Sequence, residues 1–86
     1  MGSRRLNGKL NIISDNLIKF RKRKGFSQEV LCKKLELIGL NMIPNDIYKI
    51  ENNLRTVKDY ELNGFAKVLD VEIKDFYINT DKYYMW

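Results

Sequence analysis

The sequence contains no histidine and only one cysteine, so it lacks the residues on which most small enzymes and metal sites depend. Cys32 has no cysteine partner for an internal disulfide and no imidazole base to activate it. We therefore interpret it as a small buried or half-buried hydrophobe. No Gly-rich phosphate loop occurs, and the carboxylates are scattered singly instead of clustered as metal ligands. We expect no enzymatic activity, no cofactor and no metal site.

Long apolar runs are also missing. No uninterrupted hydrophobic stretch approaches the ~20 residues that a membrane span needs, and the polar N-terminus lacks the apolar core of a signal peptide. Together with the unpaired cysteine, these absences predict a location in the bacterial cytoplasm or nucleoid and no membrane partner. The 86 residues suffice for one small domain. They leave no room for an effector domain, so we expect no small-molecule effector.

Acidic residues are scarce in the first part of the chain. Residues 1–34 contain ten Lys or Arg against two acids, a net charge of +8, whereas residues 35–86 carry a net charge of −3. In a protein with a pI near 9.4, a basic segment favours a polyanionic partner, nucleic acid first and an anionic membrane second. A solvated face that only maintains solubility explains the same charge. The charge pattern alone leaves both interpretations open.

Helical spacing of apolar residues is clear, whereas strand-like alternation is weak. Gly25 and Gly39 are typical of helix ends, Ser27 of an N-cap and Pro44 of a first helical position. These signals predict helices at 12–24, 27–38, 44–52, 59–69 and 74–78. The fold class is therefore all-α, a compact bundle of about five short helices. The apolar residues expected to face inward include Ile13, Leu17, Phe20, Val30, Leu31, Leu35, Ile47, Ile50, Leu62, Phe65, Ala66 and Leu69.

The helical domain, residues 12–78, lies between two segments of different character. Residues 1–11 are interpreted as a flexible arm that begins with Met1-Gly2-Ser3, a string typical of a cloning remnant. Two interpretations of the arm stay open: phosphate or minor-groove contacts by its cations, or simple disorder. Residues 79–86 form an aromatic tail, for which a dimer surface and a fold back onto the core both stay open.

The segment 20–29, Phe-Arg-Lys-Arg-Lys-Gly-Phe-Ser-Gln-Glu, resembles the opening of the lambda-repressor-like (Cro/C1-type, XRE family) helix-turn-helix domain. That opening combines a basic helix end, a glycine, an apolar residue and then Ser-Gln-Glu at the start of the second helix. The likeness extends over residues 13–78. It implies a helix-turn-helix between about Ser27 and Glu51, with the third helix in the major groove of double-stranded DNA. The positions that continue it in helices 2 and 3 are Leu31, Leu35, Ile47, Lys49, Ile50 and Glu51.

The sequence departs from the family in three places. The link between helices 2 and 3 is longer than in the commonest members, and resembles a variant with an enlarged turn. Pro44 and Asp46 stand at the start of helix 3, where many members carry Ser, Arg or Gln. Asn53 stands where a glycine often ends that helix, and asparagine tolerates the left-handed conformation.

Helix geometry and the resemblance together nominate a DNA-binding surface. Asn45 is expected to read bases, because an amide pairs with adenine in bidentate fashion, and Lys49 is expected to reach guanine or a phosphate. Gln28 is expected on a phosphate at the start of helix 2. Asp46 is interpreted mainly as a helix cap, and the resemblance implies that Glu51 pairs with a basic residue of helix 1 or 2. The nominated DNA-binding set is Gln28, Pro44, Asn45, Asp46, Tyr48, Lys49, Arg55 and Lys58, with some subset of Arg21 to Lys24 as further phosphate contacts.

These features predict a small transcriptional regulator, a repressor that acts by occupying its operator. Operators are usually two-fold symmetric, so a homodimer is expected. The alternative is a protein–protein interaction module on the same fold, such as an antitoxin or an anti-repressor partner. Asp46 and the proline at the start of helix 3 favour that alternative.

Overall fold

The computed structural model describes residues 5–84. Within them the prediction of an all-α bundle is confirmed, although the last expected helix, 74–78, is a 3₁₀ helix and a second 3₁₀ helix follows it. In the described chain no helix combines the length and apolar character that a membrane crossing requires. The elements are α1 (Ser14–Arg23), α2 (Gln28–Glu36), α3 (Pro44–Glu51), α4 (Asp59–Leu69), the first 3₁₀ helix (Ile73–Tyr77) and the second 3₁₀ helix (Asp81–Tyr83).

Left-handed residues end α1, α2 and α3 where the sequence predicts them. Gly25 follows α1 at φ +74°, Gly39 follows α2 at φ +86° and Asn53 follows α3 at φ +61°. The residue that follows each of them donates its backbone N–H to a carbonyl in the last turn of the helix. Leu40, for example, donates to the carbonyl of Leu35 at 3.1 Å. These ends fix the lengths of the helices and the directions in which the chain leaves them.

The core lies where the inward faces of all four helices meet. α2 packs on α3 and α4, and α1 packs on α3 and on the first 3₁₀ helix. The rings of Phe20 and Phe76 meet edge to face with centroids 5.3 Å apart. Val30 was expected to face inward, but this is wrong: it is 38% exposed, because α2 turns Leu31 and Leu35 towards the core instead. The core residues are Ile13, Leu17, Phe20, Leu31, Cys32, Leu35, Met42, Ile47, Ile50, Phe65, Ala66, Leu69 and Phe76.

The described part of the expected arm, residues 5–11, is a tight hairpin. Leu6 and Lys9 exchange backbone hydrogen bonds of 3.0 and 2.9 Å across Asn7 and Gly8. The φ angles of that central pair, +50° and +80°, are both positive, as a type I′ turn requires. In the part of the chain where the sequence predicts an arm, these residues have a hairpin conformation. Residues 1–4 lie outside the described chain.

The described part of the aromatic tail, residues 79–84, lies against α1. Thr80 is buried, and the Tyr83 hydroxyl donates to a carboxylate oxygen of Asp15 at 3.1 Å. Asn16 of α1 donates to the backbone carbonyls of Phe76 and Ile78 just before the tail. For the described residues, this arrangement agrees with the interpretation that the tail folds back onto the core. Met85 and Trp86 lie outside the described chain.

Candidate nucleic-acid interface

The outer face of α3 presents polar side chains to solvent. Ile47 and Ile50 are fully buried, and successive helix positions point about 100° apart, so the residues between them turn outward. Asn45, Tyr48 and Lys49 are all exposed. Their spacing of three and four residues brings them together on one face of the helix. Pro44 is exposed beside them at the first helical position, as the sequence predicts.

Asp46 caps the start of α3. Its Oδ2 accepts a hydrogen bond of 3.0 Å from the backbone N–H of Ile43, the residue before the helix. The interpretation of Asp46 as a capping residue is therefore confirmed. With one carboxylate oxygen held against the backbone, Asp46 fixes the first turn of α3.

Glu51 holds three helices together from the end of α3. Arg21 of α1 donates through Nε and Nη2 to its two carboxylate oxygens at 2.6 and 2.9 Å. Gln28, at the start of α2, donates through Nε2 to Oε1 at 3.0 Å. The expected pairing of Glu51 with a basic residue of helix 1 or 2 is thus confirmed. Because Glu51 balances its charge, Arg21 differs from the exposed cations that follow it, Lys22, Arg23 and Lys24.

Gln28 is half-buried at the first position of α2. Ser27 precedes it as N-cap, and its hydroxyl accepts the Val30 N–H at 3.0 Å. Since the Glu51 carboxylate only accepts hydrogen bonds, it is the side-chain amide nitrogen of Gln28 that faces it. Only one of the two amide hydrogens is used in this contact, so the other remains available to an external acceptor.

Arg55, in the loop after α3, forms an ion pair with Glu61 of α4. Its two terminal nitrogens donate to the two oxygens of Glu61 at 2.8 and 2.7 Å. Burial alone would raise the pKa of Glu61, but hydrogen bonds from the Arg55 guanidinium and the Lys58 N–H lower it below its usual value. The hydrogen bond to Glu61 in turn raises the pKa of Arg55. Arg55 is therefore a compensated cation with about a quarter of its side chain exposed.

Lys58, unlike Arg55, is exposed at the end of the same loop. Its ammonium group lies 5.8 Å from the ring centroid of Tyr60, the second residue of α4. Lys49 is exposed on α3 itself. Within the described chain neither Lys49 nor Lys58 takes part in an ion pair, so both differ from Arg55 in having no carboxylate that balances the charge.

A groove of about 460 Å³ lies between α2 and the segment 41–46 that leads into α3, and its lining includes Glu29, Cys32, Met42 and Asp46. Burial, together with the nearby charges of Asp46 and Glu29, raises the pKa of Cys32 to about 11. At neutral pH this cysteine is a protonated thiol in the core, as its interpretation as a hydrophobe predicts. Within residues 5–84 no group of three metal-ligating side chains comes together.

The sequence did not predict the side-chain contacts of two asparagines, Asn11 and Asn53, that join the N-terminal segment to the end of α3. The Asn53 side chain accepts hydrogen bonds from the backbone N–H groups of Leu10 and Asn11, and donates to the carbonyl of Asn11 and the hydroxyl of Ser14. The Asn11 side chain donates to the carbonyls of Ile50 and Arg55 at 3.0 Å each. The Asn-Gly pair at residues 7–8 is the sequence signal that could have revealed the turn before Asn11.

No protein-family model, curated protein or solved structure matches this chain.

Proposed function

We propose that this protein binds double-stranded DNA sequence-specifically, with α3 in the major groove, and acts as a small transcriptional regulator. The observation that carries the proposal is the exposed row of Asn45, Tyr48 and Lys49 on a helix whose opposite face is fixed in the core by Ile47 and Ile50. A rigidly held helix with a polar outer face is the form in which DNA sequence is read in the major groove.

The side chains on this face suit the edges of base pairs. The amide of Asn45 can donate to N7 and accept from N6 of one adenine, and the ammonium of Lys49 can donate to guanine or to a phosphate. Pro44 offers an apolar surface for a thymine methyl group. Tyr48 can donate its hydroxyl to the sugar-phosphate backbone. In this reading Asp46 contributes through helix capping.

Phosphate contacts would come from both sides of α3. Gln28 has an unused amide hydrogen at the start of α2, where the helix dipole also favours an anion. Lys58 presents an exposed ammonium group in the loop after α3. Arg55 adds a weaker contribution, because Glu61 balances its charge. The Glu51 carboxylate accepts hydrogen bonds from Arg21 of α1 and Gln28 of α2, and so links α2 to α3 and helps these contacts keep the same register.

The regulator would act in the bacterial cytoplasm as a homodimer on a two-fold operator, and would repress by occupying it.

The test is a selection of duplexes from a random pool, followed by titration of the winner at several salt concentrations with Asn45→Ala and Lys49→Ala. Asn63→Ala and Lys67→Ala, exposed positions of α4, are matched controls. We expect a palindromic site that binds at roughly 10⁻⁸ M or tighter, with a base preference that Asn45→Ala relaxes and the controls leave intact. Binding that stays near 10⁻⁴ to 10⁻⁶ M on every sequence would contradict the proposal.

A protein-interaction module, such as an antitoxin or anti-repressor partner, is the second candidate. One observation favours it: the segment between α2 and α3 exposes large aliphatic side chains, with Leu37 82%, Ile38 47% and Ile43 60% exposed. Exposed apolar side chains that form one patch are typical of protein-binding surfaces. Absence of a selected sequence in the DNA experiment would make this function the leading one.

A further inference from the structure

The N-terminal hairpin is held rigidly against the end of α3. Four hydrogen bonds join the Asn53 side chain to Leu10, Asn11 and Ser14, and the Asn11 side chain returns two more to the end of α3 and the loop behind it. On the other side, the ammonium group of Lys9 lies 5.1 Å from the ring centroid of Tyr83. The hairpin is thus docked on two sides, which gives its exposed side chains a defined place in the fold.

The hairpin places Arg5 across from Leu10, the residue that contacts the end of α3. Leu6 and Lys9 form the hydrogen-bonded pair of the turn, so Arg5 and Leu10 are the next pair of residues outward. Leu10 is the residue whose N–H is bonded to Asn53. In this register the Leu10 N–H points away from Arg5, so Leu10 lies between Arg5 and Asn53, the residue that ends α3. The Arg5 side chain is exposed, along an open groove of about 420 Å³ that Lys9 also lines.

Arg5 also has an uncompensated charge. Its guanidinium donates only to the Gly8 carbonyl, at 3.4 Å, and it belongs to none of the ion pairs formed within residues 5–84. Elsewhere around α3, by contrast, Arg21 and Arg55 each face a carboxylate at hydrogen-bond distance. For a polyanionic partner, the cation at the hairpin therefore adds to the free charges of Lys49 and Lys58 near this end of the helix.

We propose that the docked hairpin is part of the DNA-binding surface and that Arg5 contacts a backbone phosphate beside the end of α3. The proposal rests on the proposed function, because it adds a contact to the same complex. A phosphate contact positions the protein on the duplex and carries no base preference. The hairpin would therefore contribute affinity and salt dependence, whereas α3 supplies the choice of sequence.

The first test is Arg5→Gln, titrated on the selected duplex and on a random duplex at several salt concentrations. Loss of one phosphate contact should reduce the slope of log K against log salt by about 0.9 and weaken binding by about five- to tenfold near 0.1 M salt, equally on both duplexes. Lys67→Gln on α4 removes the same charge away from the hairpin and should leave the slope unchanged. If the wild type binds DNA and Arg5→Gln has the wild-type slope, the inference is overturned and the proposed function stands.

The second test asks whether docking gives Arg5 its effect. Asn53→Gly removes the side chain that holds the hairpin and still permits the left-handed backbone. In the Asn53→Gly background, Arg5→Gln should lose most of its effect on the salt slope. Asn79→Gly, at another left-handed asparagine with φ +63°, is the matched control and should preserve the full effect. Circular dichroism would verify that each variant is folded.

The double-variant cycle has two clear contrary results. An Arg5 effect of equal size with and without Asn53 would overturn the docking mechanism. A wild-type protein that binds no duplex at all would overturn the proposed function and this inference with it. Because the random duplex reports the phosphate contact independently of sequence choice, failure of sequence specificity alone still leaves the Arg5 contact testable on that duplex.

Discussion

Arg21 of α1 and Glu51 at the end of α3 form a bidentate ion pair across 30 positions of sequence. The pair is almost buried, with side-chain exposures of 11% and 4%. Arg21 also donates to the carbonyl of Phe26, and Gln28 donates to the same carboxylate. One carboxylate therefore fixes the angle at which α2 meets α3, which is the geometry that the proposed DNA complex needs.

Glu51→Gln tests how much this cluster contributes to the stability of the fold. The substitution preserves size but leaves the Arg21 guanidinium buried without a counter-charge, so we expect the free energy of unfolding to fall by about 3–5 kcal/mol. Urea unfolding followed by circular dichroism measures the change. Glu29→Gln, which breaks the exposed pair with Lys33, is the control and should cost less than about 0.5 kcal/mol. Equal effects of the two substitutions would contradict the structural role of Glu51.

Glu61→Gln should have an effect on stability that depends on pH. The pKa of Glu61 is lowered in the folded protein, so its ion pair with Arg55 contributes stability above the unfolded value, about pH 4.3, and loses it as pH falls through the folded pKa. We expect Glu61→Gln to be less stable than the wild type at pH 7, and the gap to close in strongly acidic solution. Urea unfolding at a series of pH values would show it. A gap that does not change with pH would contradict this assignment, and Glu72→Gln, at an exposed residue, is the control.

Cys32 should react slowly with thiol reagents in the folded protein. With the pKa at about 11, the thiolate fraction at pH 8 is roughly 100-fold below that of a free cysteine, and burial further limits access. We expect labelling by a disulfide reagent to be slow in buffer and rapid in urea. Complete labelling of the native protein within seconds would show that the site between α2 and α3 is open.

Gly39→Ala tests the end of α2. At φ +86° an alanine is strained, and the free energy of unfolding should fall by about 1–2 kcal/mol. No atom lies within 4 Å of the added Cβ, so the cost comes from the backbone alone. Gly39→Asn should lose less, since asparagine tolerates the left-handed region. Unfolding in urea measures both variants, and equal stability of the two would exclude backbone strain as the cause.

Local signals in the sequence account for much of the fold. Glycine, proline and asparagine restrict the backbone at single positions, so the ends of α1 and α2, the start of α3 and the left-handed Asn53 were predictable. Helical spacing placed α4 at the observed boundaries, because its apolar face is regular. The cap at Asp46 was predictable because its contact joins residues only three positions apart, Asp46 and Ile43.

The features that sequence reasoning did not predict depend on contacts between distant positions. Asn11 is buried because Ile50, Asn53 and Arg55, some forty residues away, accept or donate its hydrogen bonds. The outward turn of Val30 depends on which neighbours α2 meets, and helical spacing alone fits either orientation. Arg55 was expected to contact a phosphate. Its pairing with Glu61 depends on the path of the loop between the two residues, which local sequence signals do not specify. The outer face of α3 was predictable because Ile47 and Ile50 define its inner face.

The contact between Asp15 and Tyr83 closes a segment of 68 residues, and it has a consequence for biosynthesis. Residues near the start of the chain leave the ribosome first, but the surface against which α1 packs is completed by residues near 76–83. Long-range contacts of this kind must wait for their second partner and are slow to close. α1 should therefore remain without its final neighbours until the tail has emerged from the ribosomal exit tunnel. A nascent chain stalled before Tyr83 leaves the tunnel should be digested by protease far faster than the released protein.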